Sequence, residues 1–101
     1  MKFHITAYQN NTSRFDPYTE GDELEWVTEF YVNAETLDAA LEAAFYIGNK
    51  MPAGWQDMWP VNRRSMSVGD VVVIDHDSAH SVERFGFERR AIPVESTRER
   101  S

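Results

Sequence analysis

The sequence predicts an α+β fold, in which one helix packs across one face of a mostly antiparallel sheet of four or five strands. Three observations lead to this prediction. Four consecutive β-branched residues occupy positions 71–74, two earlier segments alternate apolar and polar residues, and apolar residues recur at helical spacing between them. The predicted order is β-β-α-β-β. A chain of 101 residues suits one domain, which we place at residues 1–93, followed by a disordered tail over residues 94–101.

The first strand is predicted over Lys2–Gln9, because apolar residues there alternate with polar ones. The second strand is predicted to pair antiparallel with the first. Its buried face is predicted to carry Leu24, Trp26, Thr28, Phe30 and Val32. Its solvent face is predicted to carry the residues that alternate with these, Glu23, Glu25, Val27, Glu29 and Tyr31.

A helix is predicted over Asn33–Gly48. Asn33 is a suitable N-cap residue, and a glycine followed by an asparagine at positions 48 and 49 is a typical stop signal. One stripe of the helix is predicted to pack against the sheet, formed by Leu37, Ala40, Leu41, Ala44, Phe45 and Ile47.

The run Val71–Ile74 is predicted to be a strand covered on both faces, because it lacks the polar alternation of a half-exposed strand. It follows a polar turn in which Gly69 is expected to have a positive φ. Residues 79–85 are predicted to pair with it as a hairpin. Gly86 then interrupts the chain at a bulge or bend, and residues 87–92 form a short fifth strand or an edge extension.

The net charge is −7, and the whole acidic excess lies in the first half of the chain. Residues 1–49 contain nine acidic and two basic residues, whereas residues 50–101 contain eight of each. The chain lacks the clustered Lys and Arg that phosphate contacts need, so we expect no nonspecific binding to nucleic acid. Two interpretations of the acidic half remain open: a solubilising surface, or a DNA mimic whose acids at positions 16–42 gather on one face.

Residues 50–62 form the most unusual segment, because they are rich in Trp, Met and Pro and show no regular period; we predict a loop. Its indole rings either fold back onto the core or form a surface that binds another protein. Trp, Met and Arg are enriched at protein interfaces, and two arginines follow the loop directly. The candidate residues for binding a protein partner are Trp55, Met58, Trp59, Arg63 and Arg64.

No pattern in the sequence predicts catalytic residues. Cysteine is absent, which rules out disulfides and thiolate metal sites, and no serine has an identifiable histidine and acid as partners. Asp75, Asp77 and His80 have side chains of the kinds that bind metals, although a solvated turn is the alternative interpretation. We expect no cofactor and no membrane span, and a cytoplasmic location is expected.

The segment Arg64–Val72, with the sequence RSMSVGDVV, resembles a segment of small proteins encoded by phages, plasmids and actinobacterial genomes, including the YodL-like domains of mobile elements. Ala40–Asn49 and Phe85-Gly86-Phe87 fit the same pattern, so the similarity runs from the predicted helix onward. Met66 stands where these proteins have leucine, and the Trp-rich loop has no counterpart in them. The resemblance implies an accessory protein of a phage or plasmid, and it implies no catalytic residues.

These observations leave three functions as alternatives. The first is a small non-enzymatic accessory protein that acts by protein–protein interaction. The second is an acidic DNA mimic that inhibits a host restriction or defence enzyme. The third is a small metal-dependent enzyme or binder that uses Asp75, Asp77 and His80.

Overall fold

The computed structural model describes residues 1–13 and 15–91 and contains a five-stranded antiparallel sheet with one α-helix, which confirms the α+β prediction. The predicted end of the domain at residue 93 and the predicted tail at 94–101 lie outside the described residues. In chain order the elements are β1 (Lys2–Asn10), β2 (Leu24–Asn33), α1 (Leu37–Gly48), β3 (Val71–Ile74), β4 (Ser78–Val82) and β5 (Phe87–Arg90). A short 3-10 helix, Trp55–Asp57, lies within the Trp-rich loop.

The β-branched run forms β3, which occupies the centre of the sheet. The strand order is β2-β1-β3-β4-β5, and every neighbouring pair is antiparallel. Each of the four β3 side chains is at most 2% exposed, which confirms that this strand is covered on both faces. Successive side chains of a strand point to opposite faces, so β3 contributes to two separate cores.

The larger core lies between the sheet and α1, and the smaller one lies on the other face. The larger core includes Phe3, Ile5, Phe30, Leu41, Ala44, Trp59, Val72 and Ile74. The smaller core contains Tyr8, Leu24, Val71, Val73 and Ala79, and the partly buried rings of Tyr18 and Trp26 pack against it. A sheet packed on both faces explains why both alternate positions of β3 are apolar.

A β-bulge changes which residues of β2 face α1. Ala7 pairs with Thr28 but Tyr8 pairs with Trp26, so Val27 is the extra residue between them. The bulge reverses the alternation, because two residues of β2 oppose one of β1 at that point. The prediction of one continuous buried face is therefore wrong: Trp26 packs against the smaller core, while Val27, predicted to be exposed, is buried in the larger one.

The helix begins at Leu37, four residues later than the predicted start at Asn33. Asn33 is still paired with β1 as the last residue of β2. The N-cap is instead Thr36, whose Oγ1 accepts a hydrogen bond from the backbone N–H of Ala39 at 3.1 Å. Asn is at least as favourable an N-cap residue as Thr, so the pairing of Asn33 in β2, and not a local capping preference, decided the boundary.

The geometry of the turn before β3 depends on one buried carboxylate, that of Asp70. Asp70 is 1% exposed and accepts hydrogen bonds from both terminal nitrogens of Arg64 at 2.9–3.0 Å. It also accepts from the backbone N–H groups of Asn10 and Ser67. Gly69 has a φ of +97°, which confirms the predicted positive φ. The RSMSVGDVV segment therefore has a structural role: it fastens the turn to the end of β1.

Candidate interaction site

Trp59, one of the two indoles of the predicted binding loop, is part of the larger core. Its side chain is 1% exposed, and its Nε1–H donates a hydrogen bond to the backbone oxygen of Arg64 at 3.2 Å. The ring lies beside the end of α1, close to Gly48 and Met66. For Trp59, the structure therefore agrees with the interpretation in which the indole folds back onto the core.

Trp55 and Met58 are half-buried and pack against the same core. The Nζ of Lys50 lies 5.2 Å from the centre of the Trp55 ring, in a cation–π arrangement. The backbone oxygen of Met58 accepts a hydrogen bond from Thr28 Oγ1 at 2.9 Å, which ties the loop to β2. These two residues keep part of their surface at the solvent but do not form a continuous aromatic patch with Trp59.

The two predicted arginines are engaged within the chain. Arg63 donates to Gln9 Oε1 at 3.0 Å and to Glu25 Oε2 at 3.2 Å. Arg64 forms a bidentate ion pair with Asp70, and this pair holds the turn before β3. The five predicted site residues are therefore neighbours in the fold, but their polar groups mainly stabilise the loop itself.

The residues of the metal alternative do not converge. Asp75 Oδ1 accepts a hydrogen bond from the backbone N–H of His4 at 2.8 Å, and Asp77 is exposed in the turn between β3 and β4. His80 is buried on the α1 face of the sheet, opposite Val72. In the part of the chain that the structure describes, no group of three or more His, Cys, Asp or Glu side chains is placed to hold a metal ion.

Among the described residues, the most exposed large apolar side chain lies elsewhere, at the tip of the β4–β5 hairpin. Phe85 is 97% exposed and belongs to the loop Glu83–Gly86, where the backbone N–H of Glu83 donates to the oxygen of Gly86 at 2.9 Å. This loop ends β4 at Val82, so the prediction of a strand through Phe85 is wrong. Gly86 has a φ of +82°, a conformation that glycine adopts without strain.

A groove runs between this hairpin and α1, and we call it the hairpin groove. Its first part, the Phe45 lobe, has a volume of about 220 Å³ and is lined mainly by Phe45, Val82 and Phe87. Its second part, the His80 lobe, has a volume of about 450 Å³ and is lined by Leu37, Leu41, His80, Phe85 and Arg89 among others. Glu42, Gly86 and Phe87 border both lobes, so the two lobes are adjacent.

Two aromatic rings form the apolar wall of the Phe45 lobe. The rings of Phe45 and Phe87 meet edge to face, with centroids 6.2 Å apart and an interplanar angle of 90°. Phe45 was predicted to face the sheet, but it is 38% exposed because its position in α1 is at the rim of the buried stripe, toward the hairpin. The groove is therefore bounded by aromatic surface that the fold leaves at the solvent.

Charges of both signs border the hairpin groove. Asp38 and Glu42 lie on the α1 wall, and neither is in an ion pair with another described residue. Arg84 and Arg89 lie on the hairpin wall. Arg84 is 3.5 Å from Asp16, an ion pair between two exposed side chains that stabilises the fold little.

Sequence reasoning did not find the hairpin groove. Phe45 fits the apolar period of the helix, so the period alone placed it in the core. Phe85 fits the alternation of a strand, and the glycine after it was interpreted only as a bulge or bend. The available signal was the loop sequence Glu-Arg-Phe-Gly, in which an aromatic residue directly precedes a glycine.

No protein-family model matches this chain, and no curated protein and no solved structure is significantly similar to it. Among the residues that the structure describes, no helix is long and apolar enough to cross a membrane.

His80, at the floor of the His80 lobe, is 4% exposed, and its Nε2 lies 2.8 Å from Ser78 Oγ. Burial lowers the pKa of His80, and the positive charge of Arg89 lowers it further, whereas Asp38 opposes the shift. The imidazole therefore stays neutral in the fold to a lower pH than it would in an unfolded chain.

His4, on the other face of the sheet, also has a lowered pKa. Its ring stacks on that of His76 with centroids 4.2 Å apart, and it meets Tyr31 edge to face at 5.1 Å. Burial lowers the pKa of His4, and the charge of His76 lowers it further, while Glu29 and Asp75 act in the opposite direction.

We expect the free energy of unfolding to decrease as the pH falls below about 6.5, the pKa of an unperturbed histidine. The pKa values of His4 and His80 lie below the 6.5 of an unperturbed histidine, so the unfolded chain takes up protons first. Their contribution is complete above pH 6.5 and is lost as the pH falls through the folded-state values. Urea unfolding at several pH values measures this dependence. The His4→Gln, His80→Gln double variant should show a smaller slope, and a wild-type stability that is constant or rises on acidification would contradict the prediction.

Proposed function

We propose that this chain is a small non-enzymatic accessory protein that acts by binding another protein, and that the binding site is the hairpin groove. The observation that carries the proposal is the exposure of Phe85, which is 97% accessible at the rim of an aromatic groove. A phenylalanine in this position contributes almost nothing to the folded monomer. Exposed aromatic side chains beside a pocket are the usual anchors of protein interfaces.

The shape of the groove supports this proposal. The hairpin that carries Phe85 is held by pairing of Val82 with Phe87 and by the closing hydrogen bond between Glu83 and Gly86. An anchor held on a short, paired hairpin loses little conformational entropy when it binds. Phe87 borders both lobes, together with Phe45 in the first and Phe85 in the second, so the anchor lies beside further aromatic surface.

The Trp-rich loop is a less favourable site, although its residues were the first candidates. Trp59 is in the core, and the guanidinium groups of Arg63 and Arg64 are committed to Glu25 and Asp70. A partner that bound there would have to break these contacts. Trp55 and Met58 retain some exposed surface and form at most a secondary contact region.

An origin on a phage or plasmid is part of the same proposal. The resemblance of Arg64–Val72 to segments of phage and plasmid proteins supports an accessory role on a mobile element, acting in the cytoplasm of the host. In the fold these residues build the turn before β3, so they support the scaffold and leave binding to the hairpin groove.

The other two alternatives have less support. A DNA mimic needs its acids on one face, but Asp22 lies in the loop network with Asn10, Glu25 pairs with Arg63, and Asp38 and Glu42 lie on α1. Metal-dependent chemistry would need side chains that converge on one point, and Asp75, Asp77 and His80 do not form such a group.

Selection of random peptides displayed on phage tests the proposed site. We expect the wild-type protein to enrich peptides that bind with measurable heat. Phe85→Ser should weaken that binding about tenfold to a hundredfold, because burying a phenylalanine contributes about 1.5–3 kcal/mol. The variant should keep its stability within about 0.5 kcal/mol, since the side chain is exposed.

The matched control is Phe15→Ser, which removes a phenylalanine that is 63% exposed outside the hairpin groove. Binding of the selected peptides should be unchanged in this control and reduced in Phe45→Ala, which alters the groove wall. The proposal is wrong if no peptide is enriched, or if the enriched peptides bind the Phe85 and Phe45 variants as well as they bind the wild type.

A further inference from the structure

We propose that the hairpin groove also binds a second copy of this chain, with Phe85 of each copy inserted into the groove of the other. The chain itself presents a segment suited to the groove, namely an exposed phenylalanine preceded by Arg84 and followed by a glycine. This inference concerns the same groove as the proposed function but does not depend on an outside partner.

The arrangement of charge is the first argument. A dimer with two-fold symmetry places one surface patch against itself, so that patch must be complementary to itself. The hairpin groove meets this condition, because its α1 wall carries Asp38 and Glu42 and its hairpin wall carries Arg84 and Arg89. A two-fold axis beside the groove brings the acidic wall of one copy to the basic wall of the other.

The availability of these groups is the second argument. Glu42 borders both lobes and is in no ion pair with another described residue. The distance between Arg84 and Asp16 is 3.5 Å, and both side chains are largely exposed, so this ion pair is weak. Arg84 can therefore exchange it for a contact with Glu42 of the other copy. Phe85 borders the groove of its own copy. The same two-fold axis therefore also brings Phe85 of each copy to the groove of the other copy.

Two hairpin tips in two shallow grooves form a small interface. Interfaces that bury less than roughly 1,200 Å² are typically transient. We therefore expect a weak dimer, with a dissociation constant between about 10 μM and about 1 mM. The net charge of −7 opposes association at long range, which also favours a weak dimer.

Sedimentation equilibrium of the full chain up to about 1 mM tests the dimer. The wild type should show a mass that rises with concentration toward twice that of the chain. Phe85→Ser should raise the dissociation constant at least about tenfold, because the inserted ring is lost from both grooves. Phe15→Ser, the matched control, should behave as the wild type.

A charge exchange tests the pairing across the interface. Glu42→Arg and Arg84→Glu should each weaken the dimer, because each places like charges opposite one another. The double variant restores opposite charges with the signs exchanged, so it should regain most of the lost affinity. All of these positions are on the surface, and thermal melting confirms that each variant is folded.

Three outcomes overturn the inference: a wild type that stays monomeric throughout, a dimer that Phe85→Ser leaves unchanged, or a double charge variant that is no stronger than the single ones. If the wild type is monomeric but selected peptides still bind through Phe85, the groove serves an outside partner alone. The proposed function then stands and the dimer does not.

Discussion

Gly69→Ala is expected to lower the free energy of unfolding by about 3 kcal/mol or more. The φ of +97° at this position is strained for any residue with a Cβ atom, at a cost of about 1–3 kcal/mol. A Cβ atom would also lie 2.4 Å from the backbone oxygen of Asp16 and 2.7 Å from that of Ser13. These distances are far below van der Waals contact, so the backbone itself would have to move.

The surrounding hydrogen bonds prevent an easy movement. The backbone N–H of Gly69 donates to Val82 at 3.0 Å, which holds the turn against the end of β4. The Oδ1 of Asn10 accepts from the backbone N–H groups of Thr12 and Ser13, each at 2.8 Å, which holds the opposing loop. Relief of the overlap therefore requires the loss of contacts on at least one side, and a domain of this size has only about 5–15 kcal/mol of stability.

The matched control is Gly21→Ala. Gly21 has a similar φ of +94°, but nothing lies within 4 Å of the position that its Cβ would occupy. The control should show the backbone strain alone, about 1–3 kcal/mol, and the difference between the two variants measures the close approach. Equal losses on urea unfolding would show that the turn yields freely and that the packing of Gly69 is unimportant.

The features that the sequence predicted correctly depend on short stretches of chain. The run Val71–Ile74 is apolar at every position, and only a strand covered on both faces accommodates that pattern. The positive φ of Gly69 follows from the turn residues around it. In both cases the local chemistry allows one structure, and the rest of the fold only has to be compatible with it.

The features that were missed depend on which segments meet. The alternation of β2 is interrupted where the apolar Val27 follows Trp26 and the polar Thr28 precedes Glu29. That interruption alone does not show a bulge; the pairing with β1 decides it. The exposure of Phe45 and Phe85 likewise depends on the fold, since Phe45 lies at the rim of the buried stripe of α1 and Phe85 lies in the loop between β4 and β5. The candidate site was predicted at the segment of most unusual composition, and in the structure one indole of that segment, Trp59, is part of the larger core.

Trp59→Ala tests that last conclusion, and we expect it to lower the free energy of unfolding by about 3–5 kcal/mol. The side chain is 1% exposed, so its removal leaves a cavity between the sheet and the end of α1. The indole of Trp59 is also tied to the backbone, since its Nε1–H donates to the oxygen of Arg64. The backbone beside the ring is held as well, because the N–H of Met66 donates to the oxygen of Gly48. Urea unfolding followed by circular dichroism measures the loss.

Trp55→Ala is the control for the same chemical change in the same loop. Trp55 is half-buried, so less apolar surface is lost, and we expect a decrease of about 1–2 kcal/mol. If Trp59 were instead an anchor for a partner, its removal would leave stability nearly unchanged and reduce binding, as expected for Phe85→Ser. A small loss at Trp59 with intact folding would return the binding site to the Trp-rich loop, whereas a large loss leaves the hairpin groove as the surface that is free to bind.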